Sequence, residues 1–259
     1  MAFIMENNII KAPLLGVPHG FSTRLGGVSE GMFTSMNLGP SRGDHPAHVR
    51  ENFRRFCAAA GCDHENLVRT HQVHGRYVHV VGAAEAGDAL VMGAPCDCDG
   101  LMTDAAGVAL MIFSADCLPI LLYDPHKRAV AAVHAGWRGT AAQIAAEAVR
   151  RMGEVYGTRP GDVHAAIGPG ISACCFETDA DVPEAMPWAA EHIKTIGAQR
   201  FSVDLKAANR QTLMALGVPS AQIAVSGDCT MCRADLFWSH RKVGGQRGSM
   251  AAVIMLPKL

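Results

Sequence analysis

The 259-residue sequence has little charge: Asp, Glu, Lys and Arg make up 18% of it, and 23 basic against 24 acidic side chains leave a formal net charge of −1. That balance excludes the basic footprint of a nucleic-acid binder and the polybasic patch that holds a protein to anionic lipid. No apolar run approaches the roughly 20 residues that cross a bilayer, so no membrane segment is expected. The start, Met1-Ala-Phe-Ile-Met-Glu-Asn-Asn8, lacks the basic segment and long apolar core of an export signal. Without such a signal, the nine cysteines are expected as free thiols in a reducing cytoplasm, and their odd count rules out complete pairing within the chain. There is no internal repeat, low-complexity tract or linker.

What remains is a chain that is 49% apolar, ample for a large buried core. Helical spacing runs from Asp44 to Ala60, with Val49, Phe53, Phe56 and Cys57 on one stripe. Further helices are expected over 179–190 and 205–216, the second closed by Gly217 and Pro219. Strands are expected at 108–113, 164–168, 223–226 and 250–256, and from Thr70 through His74 to Val81. This mixture of strands and helices predicts one α+β (mixed α/β) domain over residues 1–259, expected to be a monomer.

The densest chemistry lies between Phe113 and Thr140. Two apolar runs, Leu118–Tyr123 and Ala129–Val133, flank the turn signal Asp124-Pro125-His126-Lys127, which predicts a β-hairpin. Pairing Asp124 with Lys127 sets Cys117 opposite His134, their Cβ atoms roughly 5 Å apart. A two-residue change of register keeps the pair on one face, and a one-residue change separates them. After His134, Ala-Gly-Trp-Arg138-Gly leads to Thr140-Ala-Ala-Gln143, a capping box predicted to open a helix over 141–152. Such a helix start, with Arg138 beside it, offers N–H groups to an anion.

Cys thiolate and His imidazole suit zinc or copper, and three protein ligands with an open fourth position mark a catalytic metal. A third ligand is sought at His71 or His74, which alternation on a strand would point to opposite faces. The remaining cysteines are less suggestive. Cys96 and Cys98 are too close in sequence to chelate well, and the adjacent Cys174 and Cys175 point apart on an extended chain, so these two are expected to pack. Cys229-Thr-Met-Cys232 has no second pair at zinc-finger spacing, so a zinc or redox role there is not the favoured reading. Asp116 is a candidate to orient a ligand.

Several blocks then become recognisable: Ser22-Thr-Arg24-x-Gly26-Gly27, Asn37-Leu-Gly39, Gln72-x-His74-Gly75, Ala115-Asp116-Cys117-Leu-Pro119, His134-Ala-Gly-Trp-Arg-Gly139, Ile167-Gly-Pro-Gly-Ile171, Cys174-Cys175-x-Glu177, Cys229-Thr230 and Ser239-x-Arg241. In order and over essentially the whole chain they resemble the YfiH family, also called the laccase-domain or multicopper polyphenol oxidase family. The resemblance implies layered β-sheets flanked by helices, related to cysteine hydrolase-like toxin folds. It implies a metal, usually zinc (Zn2+) with copper as an alternative, held by His74, Cys117 and His134, and so selects His74 over His71. It also implies phosphorolysis of adenosine, inosine, guanosine and methylthioadenosine, and deamination of adenosine, with nucleosides and phosphate as the small-molecule partners. Candidate substrate-binding residues are Arg24, Asn37, Arg138, Thr140 and Arg241, with Arg24, Arg138 and Thr140 assigned to phosphate. In one place the chain departs from the family: Gly248-Ser249 stands where Gly-Arg is usual, with Arg247 ahead of it.

Three alternatives accompany this expectation. Cys117 activated by His134 would make a hydrolase, an amidase or esterase editing peptidoglycan precursors. Copper-dependent phenol oxidation is disfavoured because the His-rich motifs of a multicopper oxidase are missing. A purely structural metal module is disfavoured because structural zinc normally takes four ligands.

Overall fold

The computed structural model describes residues 2–258. Two six-stranded sheets lie at the centre. The first runs Ile4–Glu6, Ile9–Lys11, His19–Ser22, Met250–Met255, Ala109–Ser114, Leu67–Arg69 in spatial order; the second runs Ile223–Val225, His164–Ile167, Leu118–Asp124, Ala129–Ala135, Gly100–Thr103, Val78–Val80. A three-stranded sheet of Glu177–Thr178, Arg200–Val203 and Ile193–Gly197 completes the strands among the described residues.

Strand alternation decides the layering. Leu110, Ile112, Ala252 and Ile254 of the first sheet share a core with Leu101, Leu121, Val130 and Ala132 of the second. The opposite faces are covered by helices. Ala109, Met111 and Val253 pack under Phe53 and Phe56 of helix Pro46–Ala60. Ile120, Leu122, Ala131 and Val133 pack under helices Ile144–Tyr156 and Leu205–Ala215. The order helix, sheet, sheet, helix matches the mixed layered fold expected from sequence. Every residue of Ala129–Ala135 is buried, which is why this strand reads Ala-Val-Ala-Ala-Val-His-Ala. Small side chains let neighbours approach on both faces, and enlarging one would overpack the core at a cost of about 1–3 kcal/mol.

The hairpin forms, with its register two residues from the expected one. Asp124 pairs with Ala129 and Pro119 with His134. The turn takes four residues, because the Asp124 carboxylate accepts the N–H groups of His126 (2.8 Å) and Lys127 (3.0 Å) and Arg128 takes a left-handed φ of 51°. The shift being even, Cys117 and His134 stay on one side.

Three other expectations are corrected. The helix predicted over 141–152 is broken: a short helix Trp137–Ala141 precedes Ile144–Tyr156, and Gln143 sits between them at φ 57°. Thr140 is therefore not a cap; it is buried inside the short helix, its hydroxyl accepting from Asn209 Nδ2 at 2.8 Å. The helix expected over 179–190 is a five-residue α-helix, Asp181–Ala185, followed by a 3-10 segment, Pro187–His192, because Pro187 interrupts it. The strand expected from Thr70 to Val81 is interrupted as well: 70–77 is irregular, between Leu67–Arg69 and Val78–Val80.

Candidate active site

That irregular stretch builds the site. The Gln72 amide copies a strand neighbour, accepting from Phe113 N (2.6 Å) and donating to Phe113 O (2.9 Å), which pins the loop to the sheet edge. Asp99 captures the next three residues. Its carboxylate accepts their successive N–H groups, from Val73 (3.1 Å), His74 (3.0 Å) and Gly75 (2.7 Å). His74 holds φ 60°, which wraps these donors around one anion. Oδ1 of the same carboxylate accepts from His134 Nδ1 at 2.8 Å. Asp99 thus holds the His134 ring directly and the His74 backbone beside it.

With Nδ1 of His134 engaged, Nε2 is left to face the ligand side. The ligating atoms of His74, Cys117 and His134 all lie within 4.8 Å of one another. His74 Nε2 is 4.0 Å from Cys117 Sγ, and the two rings meet edge to face with centroids 5.0 Å apart. A Cβ on Gly136 would sit 2.9 Å from Cys117 Sγ and 3.2 Å from the His74 ring, so only glycine leaves the cluster room. Burial alone would push the Cys117 thiol up; the His134 charge beside it, aided by His74, outweighs this and draws it down. Burial would likewise lower His134, but the Cys117 thiolate and Asp99 raise it. Before a cation binds the pair therefore favours thiolate and imidazolium; a cation would take the thiolate as its anionic donor and displace the Nε2 proton of His134. Two imidazoles, one thiolate and an open side match a three-ligand catalytic zinc set.

This cluster forms part of a cavity of about 400 Å³ whose walls include Phe113, Trp137, Ile171, Phe176 and Leu205. Arg42, Arg241 and Arg247 line the same cavity. Arg247 is buried, its Nε has no hydrogen-bond partner among the described residues, and burial lowers its pKa to about 10. Its Nη1 donates to Gly248 O at 2.8 Å.

Of the residues expected from sequence, the structure brings together His74, Cys117, His134 and Arg241. Four others lie outside the cavity lining. Arg24 stacks on Trp238 (3.8 Å) and donates to Ala234 O and Thr34 O. Asn37 is buried, donating to Asp44 and accepting from Gly39 N and Ser249 N. Arg138 is exposed and stacked on Trp137 (4.2 Å), and Thr140 is inside the short helix as described. Asp116 does not orient a ligand: its carboxylate accepts from Thr230 Oγ1 (2.6 Å) and Arg241 N (2.7 Å). Asp99 takes that role and was missed. The available signal was its place just before Gly100–Thr103, the strand that pairs with the His134 strand.

His71 is exposed and bonded to Asp97 at 2.7 Å, apart from the cluster. His71→Ala is therefore expected to leave metal content unchanged and His74→Ala to lose the ion of this cluster, as elemental analysis of both purified variants will show. A larger loss in the first would reverse the assignment. Cys98 is a packing thiol, its pKa pushed up to about 12 by burial.

Residues 18–257 match the family profile described as multi-copper polyphenol oxidoreductase laccase. The chain is 40% identical over 256 residues to a purine nucleoside phosphorylase of Deinococcus radiodurans, covering 96% of this chain and 93% of the relative. It is 33% identical to adenosine deaminase RL5 from an unknown prokaryotic organism, covering 88% and 90%. The crystal structure of the Bacillus licheniformis hypothetical protein YfiH superposes with a TM-score of 0.93 at 34% identity, covering 98% of both chains.

Proposed function

We propose that this chain, which belongs to the YfiH or laccase-domain family, is a purine nucleoside enzyme that both phosphorolyses purine nucleosides and deaminates adenosine in one cavity. The observation that carries the reading is the convergence in that cavity of a His-His-Cys donor set, three arginines and aromatic walls. Relatives named for each of the two reactions support it. No described helix is long and apolar enough to cross a membrane. Among the described residues only one possible metal cluster contains histidine, which does not suit a multicopper oxidase.

His74, Cys117 and His134 would hold a zinc ion at one end of the cavity. When bound, such an ion supplies Lewis acidity and an acidified water. Asp99 holds the His74 backbone and the His134 ring, and on His134 it fixes which nitrogen faces the cavity. The Phe176 and Trp137 rings offer flat apolar surface to a purine. In phosphorolysis a phosphate oxygen attacks C1′ as the purine leaves, so a dianion must be held beside the ribose. Arg247, Arg42 and Arg241 are the cationic side chains of the cavity, and we assign them that task in place of Arg24, Arg138 and Thr140.

Arg247→Met keeps much of the packing but removes the charge. It is expected to raise the phosphate KM, or lower phosphorolysis, by about 10- to 100-fold, for the loss of roughly 1.5–3 kcal/mol of charge-assisted hydrogen bonding. Adenosine deamination should change far less, since it needs no dianion. Chromatographic separation of adenine, inosine and hypoxanthine at varied phosphate follows both rates in one mixture. A parallel fall of both would mean that Arg247 holds the nucleoside or the fold. A second reading, a Cys117 nucleophile with His134 as its base, rests on the thiolate-favouring pair; it requires turnover of amide or ester substrates that survives chelation.

A further inference from the structure

Four cysteines on the far side of the cavity wall have no part in that chemistry. Cys174 and Cys175 lie not on an extended strand but in a turn over residues 173–175, where Cys175 N and Phe176 N both donate to Ser172 O at 2.9 Å. The turn cancels the alternation that would point adjacent side chains apart. The second pair arrives from residues 229–232: Cys229 bridges Gly170, and Arg233 N donates to Cys229 O (2.9 Å), curling the chain so that Cys232 returns to the same spot.

The four sulfurs all lie within 4.8 Å of one another. Cys174 to Cys232 is 3.6 Å, Cys175 to Cys232 is 3.4 Å and Cys174 to Cys175 is 3.8 Å. Sulfurs bound tetrahedrally at about 2.3 Å from zinc are ~3.8 Å apart. The spacing is therefore that of a tetrathiolate cage, and well beyond the ~2.05 Å of a disulfide. The surroundings suit an anionic cluster. Cys229 Sγ accepts the Ser172 N–H (3.4 Å), and the buried Lys206 ammonium is fixed beside it by Ser172 Oγ (3.0 Å), Ser226 O (2.9 Å) and Asp228 O (2.6 Å). Cys174 and Cys232 are exposed, which gives an ion a path in.

We propose that Cys174, Cys175, Cys229 and Cys232 form a second metal site, closed and structural, that holds a zinc ion. It ties the 168–177 connection to the 226–239 loop. The first segment supplies Ile171 and Phe176 to the cavity. The second carries Thr230, whose hydroxyl holds Asp116 next to Cys117. Arg241 closes the bracket by donating to Glu177 O at 2.8 Å. The ion braces the cavity wall and takes no part in turnover. Binding releases the thiol protons to solvent, so no oxidant or reductant is needed.

The test counts metal. Zinc-reloaded, dialysed wild-type protein is expected to carry about two zinc ions per chain, and Cys117→Ser and Cys232→Ser about one each. Cobalt exchanged into Cys117→Ser should show the thiolate-to-metal charge-transfer bands and intense ligand-field bands of a tetrathiolate site. That second readout stands even if Cys232→Ser proves unstable, and it does not depend on the nucleoside reading. A single zinc in the wild type that vanishes entirely in Cys117→Ser would overturn the proposal. So would a disulfide among the four cysteines, found by mass spectrometry of the zinc-reloaded protein. Iron in place of zinc would overturn the choice of metal.

Discussion

Cys117→Ser is expected to lose the cavity metal and to lower both phosphorolysis and deamination by about 10³-fold, equivalent to roughly 4 kcal/mol of transition-state stabilisation. Serine nearly matches the shape of cysteine, but its hydroxyl is not ionised at neutral pH and is a poor zinc ligand. Cys117 lies ahead of strand Leu118–Asp124 and is only half-buried, so the fold should lose less than about 1 kcal/mol. His134→Ala should lose the metal as well, but not so cleanly. Its ring is 3% exposed and bonded to Asp99 at 2.8 Å. Removing it opens a void and strips a buried carboxylate of its partner, a combined cost of about 3–5 kcal/mol. Melting the metal-free proteins side by side separates the two: Cys117→Ser should track the wild type and His134→Ala should fall well below it. Full metal retention in Cys117→Ser, with the second thiolate site accounted for, would remove Cys117 from the ligand set.

The contrast between these two residues marks where sequence reading succeeded and where it stopped. Cys117 and His134 were legible because a hairpin is a local object: strand period and turn chemistry bring the two together even when the register slips by two. The core elements were legible as local patterns too, from the helical spacing within Pro46–Ala60 and the apolar runs of Leu118–Asp124 and Met250–Met255, whereas their layering came from the family resemblance. His74 was found through a motif. The strand alternation that was to separate it from His71 does not exist, because the chain there is irregular and His74 is left-handed. Long-range contacts were not legible. Asp99 reaches residues 73–75 and 134 from a different connection, and its place ahead of the strand that pairs with the His134 strand is a signal only once that pairing is known. The four cysteines meet only because Gly170 and Cys229, distant in sequence, are bridged. Arg247 reads as a displaced motif arginine until its burial and free Nε are seen. Thr140 misled because a capping-box pattern says nothing of Gln143 turning left-handed.

Asp99 carries the second large expectation, because one carboxylate serves four donors. Oδ1 accepts from His74 N (3.0 Å) and His134 Nδ1 (2.8 Å), and Oδ2 accepts from Val73 N (3.1 Å) and Gly75 N (2.7 Å). Asp99→Asn keeps the size of the side chain but turns one oxygen into an NH2. With His134 in the Nδ1–H tautomer that leaves Nε2 to a metal, two N–H donors meet another donor whichever way the amide faces, so two of the four bonds are lost and the charge with them. Burial alone would raise the Asp99 pKa, but His134 and the backbone N–H groups of Gly75 and Val73 hold it below the usual carboxylate value. A group with a lowered folded-state pKa stabilises the fold above its unfolded value near 4, and that stability is lost as pH falls through the folded value. Asp99→Asn should therefore cost about 3–5 kcal/mol at neutral pH, from two lost charge-assisted bonds, and progressively less as acid removes the wild-type advantage. Metal affinity should fall by about 10- to 100-fold, because the His134 tautomer and the His74 loop are no longer held. Denaturant melts from pH 3 to pH 7 and competitive zinc titration read the two effects separately. A gap between mutant and wild type that stays constant across that range would mean the Asp99 charge is immaterial. Undiminished zinc affinity would mean that His74 and His134 hold their places without it.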